Sequence, residues 1–435
     1  MLKPLLWNTL SNDQKKALLQ RPNTLLPQEF TNEVRSLIKK VQLLGDEALF
    51  SLTQLFDKVE LSTLRVTQEE FDAAMNQIQP QAIQAFERVI AQLTAFHQEQ
   101  KISNYSVETS PGIVCERVVV PIQRVGLYVP AGSAPLVSTV LMLGVPSLMA
   151  ACPLRVLCAP PNRTGTIDPY ILVAAYLCGI KDVFKVGGAH AIAAMAYGTE
   201  SIPKVDKIFG PGNRWVTMAK MLVSLDPNGA QLDMPAGPSE VMVIADETAN
   251  PAFVASDLLS QGEHGEDSQV FLICKSETFV SAVNRQLDTQ LQALSRARIA
   301  TQSLKHSFCV VIENEVDAIA LANAYAPEHL ILQLANPRKY VSAIYAAGSI
   351  FLGPYSPESV GDYASGTNHV LPTAGFSRSC SGLSLRDFMR TMSVQELTRE
   401  GLLSLAETIR VLTDIEGLDA HQKAIDIRLQ SVGGE

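Results

Sequence analysis

From about residue 114 onwards, short apolar runs alternate with glycine-containing turns and longer, mostly apolar segments. "RVGLYVPAG" is followed by "APLVSTVLML", "VFKVGG" by "AHAIAAMAYG", and "KIFGPG" by "NRWVTMAKMLV". A strand, a tight turn and a helix form the repeating unit of right-handed parallel α/β sheets. A second series of buried strands follows in "EVMVIAD", "QVFLIC", "LILQL" and "SIFLG". The sequence therefore predicts an α/β fold built on parallel sheets.

Helical segments flank this α/β region. Val34, Ile38 and Val41 recur at helical spacing, and Thr67 with Glu70 has the spacing of a capping box. Residues 353–383 are rich in loop-forming residues, and the last fifty residues are predicted to be helical, with a turn at "EGLDAH". We therefore expect an N-terminal helical segment and a C-terminal helical tail.

Charge and cysteine content exclude several classes of protein. The formal net charge of −9 argues against a nucleic-acid or anionic-membrane partner. Seven scattered cysteines without a CxxC pair favour a reduced, cytoplasmic protein. Residues 125–153 carry no charge and are long enough to span a bilayer, but four prolines interrupt them. Strands buried on both faces explain this stretch better, and the N-terminus has no signal-peptide pattern.

Glycine turns after strands are candidate ligand sites, since helix N-termini there direct N–H groups at anions. "GPGNRW" begins like a dinucleotide fingerprint but has Trp215 in place of the third glycine. Tyr128 and Asn213 lie at such turns and could reach a ligand. The alternative is that these glycines only permit tight turns.

"LLSQGEHGED" places Gln261 and His264 three residues apart at the end of a predicted helix that Asn250 and Pro251 begin and Gly265 ends. This spacing lets both side chains converge on one point, such as a metal ion. The alternative is a Gln–His hydrogen bond that closes the helix.

"APEHLIL" places Glu328 and His329 at the entrance to a strand. Histidine is a common general base, and a neighbouring carboxylate could activate water. Adjacent residues of a regular strand face opposite sides, so both can serve one site only before the strand becomes regular. The alternative is a capping Glu beside a core His.

Two further histidines lie near carboxylates in turns. Asp362 and His369 share the glycine-rich loop "GDYASGTNH", and Glu416 and His421 flank the turn in "EGLDAH". Loops of this kind carry function more often than packing, although solvated turns and helix caps would explain both pairs. Histidine, aspartate and glutamine together suit a borderline metal such as zinc.

Seven long motifs resemble those of the histidinol dehydrogenase family and occur in the same order, over about residues 30 to 430. They are "GLYVPAGSAPLVSTVLM", "KVDKIFGPGN", "DMPAGPSEV", "DLLSQGEHG", "PEHL", "GDYASGTNHVLPT" and "EGLDAH". The resemblance implies oxidation of L-histidinol to L-histidine, the last steps of histidine biosynthesis. Two NAD-dependent hydride transfers would proceed through enzyme-bound L-histidinaldehyde.

The resemblance also implies two Rossmann-like parallel-sheet domains in an intertwined homodimer. The first domain would comprise residues 28–120 and 238–378 and carry the catalytic residues. The second would comprise residues 121–237 and contact NAD. An N-terminal arm (1–27) would precede them, and a helical tail (379–435) would reach the partner subunit and complete its active site.

Carried over onto this chain, the family's functional residues fall into four sets, for zinc, catalysis, substrate and cofactor. One Zn²⁺ per subunit would be held by Gln261, His264, Asp362 and His421, with the substrate completing the coordination sphere. His329 would be the general base, and Glu328 would activate the water that hydrates the aldehyde.

The remaining residues would bind the substrate and the cofactor. Ser239, His369 and Glu416 would hold the amino and imidazole groups of the substrate, beside the zinc ligands and the catalytic pair. Tyr128, His190 and Asn213 would contact NAD. His190 replaces the glutamine that is usual in the family, and we expect part of it to be charged near pH 6.5, which puts NAD affinity in question.

Two other functions remain open at this point. A sister enzyme on the same scaffold could oxidise another small polar alcohol, although the presence of Glu416 and His369 favours an imidazole substrate. A non-catalytic metal- or nucleotide-binding relative is the other alternative, and the intact Glu328 and His329 argue against it.

Overall fold

The protein is described by a computed structural model that covers residues 2–21, 27–131, 134–235 and 237–430. Parts of the predicted N-terminal arm and tail, and Gly132, Ser133 and Ala236 of the quoted motifs, lie outside these residues. By internal contacts the chain divides into two compact units, residues 1–99 with 122–388 (unit 1) and residues 100–121 with 389–435 (unit 2).

The N-terminal hundred residues of unit 1 are mainly helical, as predicted. Their elements are β1 (Pro4–Leu6), α1 (Asn12–Leu18), α2 (Gln28–Asp57), α3 (Gln68–Gln77) and α4 (Pro80–Gln98). Val34, Ile38 and Val41 are buried, and Thr67 and Glu70 form the predicted capping box. Two strands of unit 2 come next, β2 (Tyr105–Ser110) and β3 (Ile113–Pro121).

The smaller parallel sheet of unit 1 has the strand order β6-β5-β4-β7-β8. Its elements are β4 (Arg124–Tyr128), α5 (Val137–Met149), β5 (Leu154–Ala159), α6 (Pro169–Leu177), β6 (Asp182–Lys185), α7 (Gly188–Tyr197), β7 (Lys207–Phe209), α8 (Arg214–Ser224) and β8 (Gln231–Leu232). The uncharged stretch 125–153 thus forms a buried strand and a buried helix of this sheet. Within the described ranges, no helix is both long and apolar enough to cross a membrane.

The larger parallel sheet of unit 1 has the strand order β1-β11-β10-β9-β12-β13. Its further elements are β9 (Glu240–Ala245), α9 (Pro251–Gly262), β10 (Gln269–Cys274), α10 (Glu277–Leu291), α11 (Ala297–Lys305), β11 (Phe308–Val311), α12 (Glu315–Tyr325), β12 (His329–Gln333), β13 (Ser349–Leu352) and α13 (Glu358–Tyr363). Strands β9, β10 and β12 are buried along their whole length, which explains their continuous apolar sequences. The two parallel sheets confirm the predicted α/β class.

Helix α2 packs against α7 and α8 of the smaller sheet, and Phe30, Val34 and Ile38 share a core with them. The domain boundaries given above, which place residues 28–120 with the larger sheet, stay a prediction. β1 of the N-terminal arm pairs with β11 and forms one edge of the larger sheet. Residues Pro4–Leu6 of the predicted arm are therefore part of the larger sheet.

Unit 2 consists of an antiparallel sheet, β14-β3-β2, and two helices. Its last elements are β14 (Met389–Leu397), α14 (Arg399–Glu416) and α15 (Asp419–Gln430). The prediction that the last fifty residues are helical is wrong for residues 389–397. This segment pairs with β3 along nine residues, and such long-range pairing decides its conformation more than local propensity does.

All seven cysteines are free thiols, and five of them are buried. This agrees with the expectation from their odd number and their scattered positions.

Candidate active site

The predicted catalytic pair lies at the amino ends of two neighbouring central strands, β9 and β12. His329 is the first residue of β12 and pairs with Val241 of β9, whereas Glu328 precedes the regular strand. Both side chains are buried, and Nδ1 of His329 lies 3.7 Å from Oε2 of Glu328. The two side chains can therefore share one site although they are adjacent in sequence, as the position at the strand entrance requires.

The main chain of Glu240 holds both residues of this pair. Its N–H donates to Oε2 of Glu328 over 2.8 Å, and its carbonyl oxygen lies 3.1 Å from Nδ1 of His329. Burial raises the pKa of Glu328 to about 8. The carboxyl group of Glu328 can therefore gain or lose a proton close to neutral pH.

His329 faces a carboxylate with its second ring nitrogen. Nε2 lies 3.5 Å from Oδ1 of Asp362 and makes no hydrogen bond within the described part of the chain. Burial opposes the charged form of the ring, but Glu328, Glu358 and Asp362 outweigh it and raise the pKa of His329 well above its usual value. The neighbouring carboxylates therefore favour the protonated form of the ring.

Helix α9 delivers Gln261 to this site. Asn250 caps the helix and Pro251 opens it, as predicted, and Gln261 in the last turn is fully buried. The helix ends at Gly262, however, and its C-cap is Glu263 in a right-handed conformation, so Gly265 is not its terminator. One end of the Gln261 amide lies 3.1 Å from both the Glu240 carbonyl oxygen and His329 Nδ1.

His264 lies just beyond α9 and is exposed. Its Nε2 is 3.9 Å from Oδ2 of Asp362, and among the hydrogen bonds of the described residues none joins its side chain to that of Gln261. The main chains of the two residues do form a hydrogen bond at the helix end, from the His264 N–H to the Gln261 carbonyl oxygen over 3.2 Å, but their side chains do not pair with each other. The side chain of Gln261 instead contacts His329, and that of His264 lies near Asp362.

Glu358 is a residue of this site that the sequence analysis missed. It opens α13, one helical turn before Asp362, and is only 1% exposed. The ligand atoms of His264, Glu358 and Asp362 all lie within 4.8 Å of one another. The four-residue spacing of two carboxylates in "PESVGD" was the available signal, since such residues share one helix face.

The donor set of this cluster fits a divalent cation. It combines an imidazole nitrogen with carboxylate oxygens, which are ligands that zinc accepts. Oε2 of Glu358 is buried and has no hydrogen-bond partner among the described residues. Burial raises the pKa of Glu358 well above its usual value, and a bound cation would favour its carboxylate form.

Two predicted substrate-binding residues lie in unit 1 around this cluster. His369 contacts the Asp362 carbonyl oxygen with Nδ1 over 3.0 Å, and its Nε2 lies 3.2 Å from Oγ1 of Thr139. Ser239 is partly exposed and immediately precedes Glu240. The contact of His369 with Asp362 joins the loop that follows α13 to the candidate metal ligands.

The predicted substrate-binding residue Glu416 and the predicted zinc ligand His421 belong to unit 2. Glu416 is the last residue of α14, Gly417 ends that helix in a left-handed conformation, and His421 lies in the first turn of α15. Both Glu416 and His421 are exposed. The cluster described above is formed by residues of unit 1 alone.

The residues predicted to bind a cofactor lie at the carboxyl ends of strands in the smaller sheet. Tyr128 ends β4 and Asn213 follows β7, and these neighbouring strands flank the point at which the strand order reverses. The Tyr128 hydroxyl accepts a hydrogen bond from the Gly188 N–H over 3.0 Å. Oδ1 of Asn213 accepts from the Trp215 and Val216 N–H groups and caps α8.

The β7–α8 turn approaches β4 closely at this reversal point. Gly210 has a φ of 121°, and a Cβ atom there would overlap the Tyr128 carbonyl oxygen. Glycine is therefore required at position 210 for the close approach of the chain, in agreement with the alternative that these glycines only permit tight turns. A reversal point at the carboxyl ends of a parallel sheet is also where dinucleotides bind, so both readings fit this edge of the sheet.

His190 lies in the first turn of α7, and its ring stacks on Phe56 with 6.0 Å between the ring centroids. It is 2% exposed, and burial lowers its pKa to about 4. The expectation that part of it is charged near pH 6.5 is therefore wrong, because the protein interior disfavours the imidazolium form. Its Nε2 is buried and finds no hydrogen-bond partner in the described ranges.

Comparisons with known proteins identify the family of the chain. The histidinol dehydrogenase family model matches residues 20–429. The chain is 52% identical to a histidinol dehydrogenase of Vibrio cholerae, with 99% of each chain covered, and 50% identical to one of Xanthomonas oryzae, with 98% and 99% covered. The crystal structure of histidinol dehydrogenase from Elizabethkingia anophelis superposes with a TM-score of 0.94 at 44% identity, covering 100% of this chain and 99% of that one. By sequence and by fold, the chain belongs to the histidinol dehydrogenase family.

Proposed function

We propose that this protein oxidises L-histidinol to L-histidine through bound L-histidinaldehyde, using one Zn²⁺ per subunit and two molecules of NAD. The observation that carries the proposal is the convergence of Glu328 and His329 with Gln261, His264 and Asp362 at the amino ends of β9 and β12. The seven free thiols support a cytoplasmic location, where thiols stay reduced.

Gln261, His264 and Asp362 would hold the zinc ion together with His421 of the partner subunit. Bound zinc supplies a Lewis acid that holds the amine and the imidazole of the substrate. Neutralisation of Asp362 by a cation would also reduce the field that raises the pKa of His329. His329 would then be unprotonated more often, as a general base must be.

His329 would remove a proton in each oxidation. When its Nδ1–H donates to the Glu240 carbonyl oxygen, Nε2 keeps a lone pair that can accept the substrate's hydroxyl proton. In each step one hydride goes from the substrate carbon to NAD, and one proton goes to His329. The alcohol is thereby oxidised to the aldehyde, and the hydrated aldehyde to the carboxylic acid.

Glu328 would take a proton from the water that adds to the aldehyde. Its carboxyl group is buried and is held by the Glu240 N–H, and its pKa of about 8 suits proton exchange near neutral pH. The buried position also limits competing reactions of a reactive aldehyde with bulk water. Glu328 and His329 thus divide the proton transfers of the two oxidations between them.

Ser239, His369 and Glu416 of the partner subunit would hold the amino and imidazole groups of the substrate. Glu416 and His421 lie on the exposed side of the unit 2 helices, which supports a role between subunits of a homodimer. Holding the substrate at both ends favours transfer from a single carbon atom, and such positioning can supply up to about 7–11 kcal/mol.

NAD would bind at the reversal point of the smaller sheet, beside Tyr128, Asn213 and His190. The cofactor accepts the hydride, and these residues would orient it. The strand order and the N-terminus of α7 beside Tyr128 support this location.

The test is NADH formation from L-histidinol by the full-length protein, before and after chelation and after zinc is added back. We expect two NADH per histidinol, loss of activity on chelation and recovery with zinc. One NADH per alcohol, with a different small polar alcohol as the better substrate, would support a sister enzyme. An absence of turnover with zinc present would reject the proposal.

A further inference from the structure

The orientation of the Gln261 amide is set by its neighbours. One end of the amide lies 3.1 Å from each of three groups that can accept a hydrogen bond: the Glu240 carbonyl oxygen, Nδ1 of His329 and Oε1 of Glu358. Only the amide nitrogen can donate to acceptors, so this end is Nε2 and the other end is the oxygen.

Glu358 is the acceptor that decides this orientation. If Nδ1 of His329 carries the proton that it donates to Glu240, as a general base with a free Nε2 requires, Nδ1 cannot accept from Gln261. The two N–H groups of Gln261 are then left with the Glu240 carbonyl oxygen and the Glu358 carboxylate. Glu358 is the only side chain of the three groups that remains as an acceptor.

Among the described residues, the Glu358 side chain has no hydrogen-bond partner other than Gln261. It is 1% exposed, and its second oxygen, Oε2, has no hydrogen-bond partner among the described residues. Burying a carboxylate with one satisfied oxygen is costly, which argues that its position serves the site and not only the packing of α13.

We infer that Glu358 is a positioning residue that holds the nitrogen of the Gln261 amide and so presents the amide oxygen to the metal. The inference rests on the proposed function, in which Gln261 is a zinc ligand. A metal binds an amide through its oxygen, whereas the terminal torsion of glutamine is broad and roughly two-fold. A glutamine at position 358 can present either its oxygen or its N–H group to residue 261, so it no longer fixes the orientation of the Gln261 amide, and the nitrogen of Gln261 can turn towards the ion.

The experiment measures Co²⁺ binding and its ligand-field absorption in the full-length protein, with Co²⁺ as a spectroscopic substitute for Zn²⁺. We compare the wild type with Glu358→Gln, Gln261→Glu and the exchanged double variant Q261E/E358Q. Glu266→Gln is the matched control, because Glu266 is an exposed glutamate shortly after α9. Circular dichroism checks that each variant is folded.

We expect Glu358→Gln to weaken Co²⁺ binding by about 10–100-fold, as is usual for groups that orient a metal ligand, and Glu266→Gln to leave it unchanged. Gln261→Glu opposes two carboxylates and should also bind weakly. The double variant restores a donor at 358 and an acceptor at 261, so it should bind better than either single variant. Its absorption spectrum should keep the wild-type band positions.

Two results would overturn the inference. Unchanged Co²⁺ affinity in Glu358→Gln would show that the contact does not position Gln261. A shifted absorption spectrum in Glu358→Gln, without recovery in the double variant, would show that Glu358 binds the metal itself. Failure of the wild type to bind Co²⁺ or to oxidise histidinol would instead reject the proposed function, so the two failures are distinguishable.

Discussion

Replacing Arg21 with methionine should destabilise unit 1 far more than the same change in an exposed ion pair. Arg21 lies in the N-terminal arm, and its Nε and Nη2 atoms donate to the two carboxylate oxygens of Glu240 over 2.6 and 2.8 Å. Its guanidinium group also stacks 3.9 Å from the ring centroid of Tyr325. The arginine and glutamate side chains are 9% and 4% exposed, so the pair is almost completely buried.

The expected loss follows from the carboxylate that the substitution leaves behind. Glu240 would keep a single donor, the Ala374 N–H at 2.9 Å, and removing one partner of a buried pair costs about 3–5 kcal/mol. We expect the lower end of that range, since this donor remains and methionine can still pack on Tyr325. The main chain of Glu240 holds Glu328 and His329, so kcat should fall as well.

Arg124→Met is the matched control. Arg124 makes the same two-pronged contact with Asp206, over 3.1 and 2.5 Å, but the two side chains are 47% and 38% exposed. An exposed pair of this kind contributes about 0–1 kcal/mol.

Urea unfolding followed by tryptophan fluorescence measures the difference. The chain has two tryptophans, and Trp7 packs against the core of the larger sheet, so a Trp215→Phe background makes it the only reporter. A loss below about 1 kcal/mol for Arg21→Met, equal to that for the control, would refute the reasoning. The double variant R21M/E240Q should recover part of the loss, because it leaves no unpaired charge at the position of this buried pair.

Three further predictions concern the proposed catalytic pair, Glu328 and His329, and His190. His329→Ala should abolish oxidation while bound zinc, measured by atomic absorption, stays normal. Loss of zinc would mean that the role of His329 as general base is wrongly assigned. Glu328→Gln should slow the second oxidation more than the first, so the ratio of NADH to histidinol in a single turnover should fall from two towards one. Because burial lowers the pKa of His190 to about 4 from 6.5, its contribution to stability is complete above pH 6.5 and is lost as the pH falls towards 4. The wild type should therefore lose stability relative to His190→Gln over that window, on the order of 2–3 kcal/mol. The measurement is urea unfolding of both proteins at pH 7 and pH 4.5. A difference in free energy of unfolding between the two proteins that is the same at both pH values would contradict the prediction.

Several elements were predictable because their signals are local. The capping box of α3, the Asn250–Pro251 start of α9 and the burial of β9, β10 and β12 all depend on residues close together in the chain. The position of His329 at the entrance to β12 was predictable for the same reason. Helix caps and the periodicity of buried residues depend on residues that are close together in the chain, so they can be predicted from a single sequence.

Pairing across the chain was not predictable in this way. The strand β14 was expected to be helical, and its nine-residue pairing with β3 joins segments far apart in sequence. The tertiary burial of His190, which keeps it neutral, likewise could not be read from its local sequence.

The sequence by itself determined the α/β class, the family, and the identity of most candidate site residues, because motifs and periodicity are properties of short segments. Only the tertiary structure decided that the proposed catalytic pair lies at the amino ends of β9 and β12, that Arg21 forms a buried ion pair with Glu240, and that Glu358 contacts Gln261. Those contacts connect elements that lie up to 219 residues apart. They form only when the sheets pack, and burial then sets the energies of the charges that meet there.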